Sequence, residues 1–209
     1  MLPGLVAGMV LHELGHAVAA RSQGDHTAEM DGRITINPLK HIDPVGSILL
    51  PAMGLFLGGF LFGWAKPVPV NPRNFNNYKK GMIITALAGP AMNVLLVIIS
   101  FWTFHLAQKF QIDNYHLNQI LQSTMKINLI LGAFNLIPLP PLDGSKILST
   151  LLPYQFLNYY DKIEQYANFI FIFLLVSGLF RVVIKPFILL MELIIIPINY
   201  LFVYLVSFL

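Results

Sequence analysis

Cysteine is absent from the 209 residues. That excludes disulfides, thiolate metal sites and a cysteine nucleophile. Charge is also scarce: Asp, Glu, Lys and Arg make up 11% of the chain, against about a quarter in a soluble domain. No run of five or more Lys/Arg residues occurs, so no nucleic-acid partner is expected. The net charge of +3 reads instead as basic loops holding a membrane protein on its cytosolic side. Internal repeats and low-complexity tracts are missing too.

Apolar residues dominate, at 56% of the chain, with a mean hydropathy of +0.68. One water-soluble core of this size cannot hide so much apolar surface, so a lipid bilayer must cover part of it. The length suggests one domain with a peripheral helical appendage. The opening MLPGLVAGMVL has no basic n-region, and a cleavage site would fall inside the segment HELGH. It reads as a mature spanning helix rather than a signal peptide, with a short or trimmed N-terminus before His12.

The expected fold is an all-α polytopic membrane protein. It has about five to six membrane helices and one re-entrant, partly extended segment. A spanning helix needs about 20 apolar residues, and six stretches qualify: Met1–Ala20, Val45–Ala65, Gly81–Leu106, Ile127–Leu152, Tyr166–Val183 and Pro186–Leu209. The second is dense in Gly and Pro (Gly46, Pro51, Gly54, Gly58, Gly59, Gly63, Pro67 and Pro69), which disfavours a straight continuous helix. Basic residues flank it on both sides: Arg21, Arg33 and Lys40 before, Lys66, Arg73, Lys79 and Lys80 after. By the positive-inside rule both flanks are cytosolic. A half-helix that dips in over 44–65 and returns as the extended segment Trp64–Val70 satisfies both observations. The loop Lys109–Thr124 is then outside and Tyr154–Gln165 cytosolic. Arg181 and Lys185 fall outside, against the rule.

The chemistry starts at His12-Glu13-Leu14-Gly15-His16. On a helix, positions i and i+4 share a face, so two imidazoles can bind one zinc ion. Glu13, one residue on, can take a proton from water activated by the metal and pass it to the leaving amine. A chance match of this spacing is expected in roughly one chain per hundred or fewer. Ionisable residues inside a membrane helix are expensive and by default functional. Catalytic zinc takes three protein ligands and keeps one open position. The best third ligand is Asp143, in the proline-broken stretch Asn135–Gly144, NLIPLPPLDG. Gly144 permits close backbone approach there. The bland alternative for Asp143 is a helix N-cap. Glu192, among apolar neighbours, is the weaker competitor. Asn135 is a candidate catalytic residue, hydrogen-bonding substrate or oxyanion. Asn93 has the same candidacy, and for both the alternative is interhelical glue. Gly89 and Pro90 suit close helix packing or a kink. His26, His41, His105 and His116 are expected to be solvated.

Together these residues resemble the site-2 protease family of intramembrane zinc metalloproteases. The likeness runs from Met1 to Leu152. It is carried by HELGH at 12–16, by Ala88-Gly89-Pro90 with Asn93, and by the segment ending Leu142-Asp143-Gly144. The stretch GDHTAEMDGRITINPLKHIDPVG is similar to the bacterial and archaeal branch without PDZ or CBS domains. The resemblance implies that His12, His16 and Asp143 hold one Zn2+ and that Glu13 is the general base. It implies a site near the cytosolic face of a prokaryotic cell membrane, and as partner a transmembrane or membrane-adjacent protein or peptide substrate that unwinds before cleavage. Trp64–Val70 matches the family's extended segment that pairs with such a substrate as an added strand, a role open to any extended edge. Residues 1–152 are then the catalytic membrane core, and 153–209 contribute two C-terminal membrane helices. The competing function is a membrane transporter or channel using the same polar cluster for metal or proton passage. Broken mid-membrane helices favour it, but paired repeats are not visible.

Overall fold

The computed structural model describes residues 1–43, 46, 65–112 and 114–208. Among these the regular structure is helical, and no strand occurs. The order is α1 (Leu2–Ser22), a short α2 (Thr27–Met30), α3 (Tyr78–Lys109), α4 (Tyr115–Asn135), α5 (Asp143–Leu151), α6 (Tyr154–Val176) and α7 (Phe180–Val206). Single 3-10 turns lie at Pro38–Lys40 and Pro72–Asn74. Among the described residues three helices, α1, α3 and α7, are long and apolar enough to cross a bilayer.

Several boundaries differ from the apolar stretches. The stretch expected as one span, Ile127–Leu152, is two helices, because prolines 138, 140 and 141 leave 136–142 without a helical ladder. The first of these, α4, begins at Tyr115, inside the expected loop, where the Asn114 side chain caps it by accepting from the Leu117 N–H. Tyr154–Gln165 is helical as well. It is the polar first half of α6, directly after Pro153, where a missing N–H costs no helix bond. Hydropathy reports lipid exposure, so it misses helical turns that are polar. Conversely, Pro186 lies inside α7, as apolar membrane helices tolerate. The expected re-entrant half-helix at 44–65 lies outside the described residues except for Gly46 and Ala65. Of the expected extended segment, 65–70 is described and carries no helix.

Small residues let the first three long helices meet closely. A Cβ added at Gly4 of α1 would come within 2.5 Å of Thr124 Oγ1 on α4. One added at Gly15 would come within 2.7 Å of Ala88 O on α3. Gly4-x-x-x-Gly8 is the small-residue spacing by which membrane helices associate. Behind them Val97, Ile98, Ala133, Ile137, Leu139, Leu142, Ala167, Ile184, Met191 and Ile195 form the apolar core, joining α3 to α7. Much of α6 and α7 leaves large apolar side chains exposed, among them Phe169, Val176 and Leu193. That is the surface a bilayer covers.

The end of α1 is clasped by a buried carboxylate. Asp25 accepts from Thr27 N (3.1 Å), Thr27 Oγ1 (2.5 Å), Asn71 N (2.7 Å) and Asn74 Nδ2 (2.9 Å). Gly24, at φ +105°, makes the turn into it. Burial pushes the Asp25 carboxyl up, but these donors from Thr27, Asn71 and Asn74 outweigh it and hold it below its ordinary value. The sign follows: a carboxyl depressed in the folded state stabilises above its unfolded value, about 3.9, and that stability is lost as pH falls through the folded value. Asp25→Ala is expected to destabilise the protein by about 3 kcal/mol. Thermal melts in detergent at neutral pH check this. Below about pH 4 the parent should lose stability more steeply than Asp25→Asn.

Candidate metal centre

One turn of α1 separates His12 from His16, and both imidazoles are buried. Their rings meet edge to face at 88°, with centroids 4.6 Å apart. The two Nε2 atoms are 3.0 Å apart. Asp143, at the first turn of α5, brings Oδ2 to 3.1 Å from His12 Nε2 and 3.0 Å from His16 Nε2. The proline break at 136–142 is what turns the chain so that α5 starts here. Asp143 does not cap the helix: the N-cap is Leu142, without a side-chain cap bond. Its second oxygen, Oδ1, accepts from Lys146 Nζ at 2.8 Å, which leaves Oδ2 to the imidazoles.

The protons around this triangle can be placed. His16 Nδ1 lies 2.7 Å from Thr85 O, a group that only accepts, so Nδ1 carries the hydrogen. His12 Nδ1 lies 2.8 Å from Asn93 Oδ1. The Asn93 amide is oriented by a relay that starts at backbone carbonyls. Asn128 Nδ2 donates to Gly4 O (3.0 Å) and Thr124 O (2.9 Å). Asn93 Nδ2 donates in turn to Asn128 Oδ1 (2.9 Å) and Gly8 O (3.3 Å), so Asn93 Oδ1 accepts from His12. With the hydrogen on Nδ1 in each ring, Nε2 is the atom left to serve as a metal ligand, and both Nε2 atoms and one carboxylate oxygen face a common point. Such a cluster calls for a cation. Zinc bonds of about 2.0–2.1 Å in a tetrahedron put neighbouring ligand atoms about 3.3 Å apart, close to the spacings seen. Imidazole N–H groups tied to a carbonyl or amide are also the usual second layer of a metal site. His12, His16 and Asp143 could hold one metal ion.

Glu13 lies beside this triangle. Its Oε2 accepts from the Val68 N–H at 2.8 Å, so the segment 65–70 passes the site. Arg33 holds the same segment: its Nη2 donates to Lys66 O (2.7 Å) and Pro67 O (3.2 Å). Asn135 ends α4, half-buried, and its Nδ2 donates to Leu131 O at 2.9 Å. Glu192 is on α7 and outside the cluster. His41, expected to be solvated, is 2% exposed. It is drawn in because its Nε2 bonds Thr35 O and its carbonyl accepts from Lys66 N. His105 is half-buried beside Phe101 and Phe202. Asn93 is fully buried against His12 rather than open to a substrate. Lys146, Asn128, Thr85 and Arg33 carried no sequence signal for the site beyond a polar Asn in an apolar stretch.

Residues 104–178 match the family model described as peptidase family M50. The chain is 36% identical over 187 residues to YwhC of Bacillus subtilis, covering 87% of this chain and 82% of that protein. It is 32% identical over 150 residues to Rip2 of Mycolicibacterium smegmatis, covering 69% of this chain and 54% of the relative. It is 29% identical over 153 residues to MJ0392 of Methanocaldococcus jannaschii, covering 71% and 33%. The names of all three include the words zinc metalloprotease. No solved structure matches. These relatives lend no support to the transport alternative. With its apolar helices and its two-histidine, one-aspartate cluster, the chain belongs to peptidase family M50, the site-2 protease family of membrane zinc metalloproteases.

Proposed function

We propose that this protein hydrolyses peptide bonds of transmembrane or membrane-adjacent substrates, with His12, His16 and Asp143 holding one zinc ion and Glu13 as general base. The observation that carries the reading is the convergence of His12 Nε2, His16 Nε2 and Asp143 Oδ2 to within 3.1 Å of one another with Glu13 alongside. When bound, zinc supplies a Lewis acid and makes water acidic at its open position, with a pKa of about 7. Glu13 takes the proton of the attacking water and delivers it to the leaving amine. The Val68 N–H holds Glu13 Oε2 during that exchange. Lys146 occupies Asp143 Oδ1, which leaves Oδ2 as the oxygen that would hold the metal. Asn135, at the end of α4, hydrogen-bonds the substrate carbonyl once its side chain turns from Leu131 O.

The site sits near one end of α1: Ser22, the last residue of the helix, is six positions beyond His16, about 9 Å of helix. Arg21 lies in the last turn of α1, Lys79 and Lys80 in the first turn of α3, and Arg33, Lys66 and Arg73 between them in the chain. The positive-inside rule makes that end the cytosolic face, in a prokaryotic cell membrane. Residues 1–152 form the catalytic core, and 153–209 brace it through Ala167, Ile184, Met191 and Ile195.

A substrate helix keeps its carbonyls paired, so it must open first. The test uses purified protein in liposomes with two transmembrane peptides. One has a Gly-Pro pair near the cleavage point and the other is all-Leu. The first is expected to be cut at least about tenfold faster, since proline opens a helix by about 3 kcal/mol. Chelation should stop both reactions and added zinc restore them. Equal rates would count against cleavage of an unwound membrane helix.

A further inference from the structure

We infer that Arg33 is a positioning residue for Glu13, acting through the backbone of residues 66–68. The proposal rests on the reading of Glu13 as the base. Arg33 lies in a loop between α2 and the first 3-10 turn, where the sequence suggests a solvated cytosolic charge. It is instead 6% exposed. A buried guanidinium is costly unless its donors are used. Nη2 is engaged by two successive carbonyls, Lys66 O and Pro67 O. The next peptide group is the Val68 N–H, which donates to Glu13 Oε2. Three consecutive residues thus link a buried cation to the acid beside the metal cluster.

The local sequence makes this link rigid. Pro67 and Pro69 flank Val68. Proline has no N–H and fixes φ near −65°, so Val68 is the one donor between two preset bends. The ends are tied down as well. Lys66 N donates to His41 O at 2.8 Å, and Asn71 N donates to Asp25. The Val68 side chain packs with Ala17, Ala28 and Ile34. Between these anchors one nitrogen of Arg33, Nη2, donates to the carbonyls of both 66 and 67. The bland alternative is that Arg33 only staples a loop to the fold. A further alternative is that it orders the segment for substrate pairing. The three readings predict different measurements.

The test compares the parent with Arg33→Gln and Arg33→Lys in detergent and in liposomes. Zinc content, melting temperature, hydrogen–deuterium exchange of the peptide 66–71, and kcat and KM on a transmembrane peptide are measured. Arg33→Gln is expected to keep the parent's zinc content, to speed exchange of the 66–71 amides, and to lower kcat about 10–100-fold through misplacement of the base. KM should move less than kcat, and Arg33→Lys should fall between. An ester in place of the Pro67–Val68 amide deletes the Val68 N–H and also weakens Pro67 O as an acceptor from Arg33, so it strikes the same link at both of its bonds. It should reproduce the kcat loss, and adding Arg33→Gln to it should cost little more, because both act through one link. Parent-like kcat per bound zinc in Arg33→Gln overturns the proposal. So does a loss that follows melting temperature alone, a rise in KM with kcat unchanged, or full additivity with the ester. If Glu13→Gln still cleaves, it is the base assignment that fails. The exchange rates of 66–71, which need no catalysis, then still decide whether Arg33 clamps the segment.

Discussion

Glu13→Gln is expected to lower peptide cleavage about 10³-fold while leaving the protein folded and loaded with zinc. General base catalysis supplies about 10²–10⁴-fold, and glutamine cannot take the proton. The substitution is otherwise quiet. The amide oxygen of glutamine can still accept from the Val68 N–H that now holds Oε2. Neither imidazole nor Asp143 is altered, so the cluster of His12, His16 and Asp143 keeps its three donors. Metal analysis on the purified protein and single-turnover cleavage of a transmembrane peptide check the two halves of the claim. Equal zinc with activity lost assigns Glu13 to the chemical step. Equal activity would remove it from the mechanism, and loss of zinc would mean that Glu13 supports the metal instead.

Gly89→Ala is expected to do what His16→Ala does, although the residue bears no donor. On α3, Gly89 faces the two imidazoles across the α1 interface. A Cβ built there would lie 2.5 Å from His16 Nε2 and 2.6 Å from Cε1 of both His12 and His16. Those are the ring edges that meet Asp143. The rings cannot retreat, since His12 Nδ1 is tied to Asn93 and His16 Nδ1 to Thr85 O. The α1–α3 packing is set in turn by Gly15 against Ala88. The methyl group must therefore tilt the imidazoles or push the helices apart. Changes next to metal ligands cost about 10–100-fold in affinity or activity, and a direct overlap with the ligating edge should reach or exceed the upper figure. Zinc titration and cleavage assays on Gly89→Ala beside His16→Ala would show it. Parent-like zinc affinity in Gly89→Ala would mean that α3 does not pack on the imidazoles as described.

Much of the site is legible without coordinates because its signals are local. His12, Glu13 and His16 declare themselves by helical spacing inside an apolar stretch. Asp143 does so as an acid next to three prolines, where a helix must break. The membrane class follows from composition, since the apolar surface exceeds what one soluble core can bury. Boundaries are less legible. Tyr115–Thr124 and Tyr154–Gln165 are polar helical turns, which hydropathy takes for loops. Proline inside an apolar helix, as at Pro186, is taken for an end.

Sequence alone therefore indicated the helical membrane class, through composition, and the trio His12, His16 and Asp143 that could hold a metal with Glu13 beside it, through local residue patterns. Tertiary structure decided the rest. It made Asn93 a buried prop for His12 rather than a group facing substrate. It supplied Thr85 O and Asn128, joined Lys146 to Asp143 Oδ1, turned Gly89 into a close approach to the imidazoles, and brought Val68 N–H and Arg33 to Glu13. Those relations join residues from about 30 to more than 80 positions apart, except for the Lys146–Asp143 contact. Several of them, those at Thr85 O, at the carbonyls of 66 and 67 and at Val68 N, rest on backbone groups rather than on a particular side chain. A backbone donor has no distinguishing letter, so only the packing of α1 against α3, α4 and the 65–70 segment could show which one meets the acid.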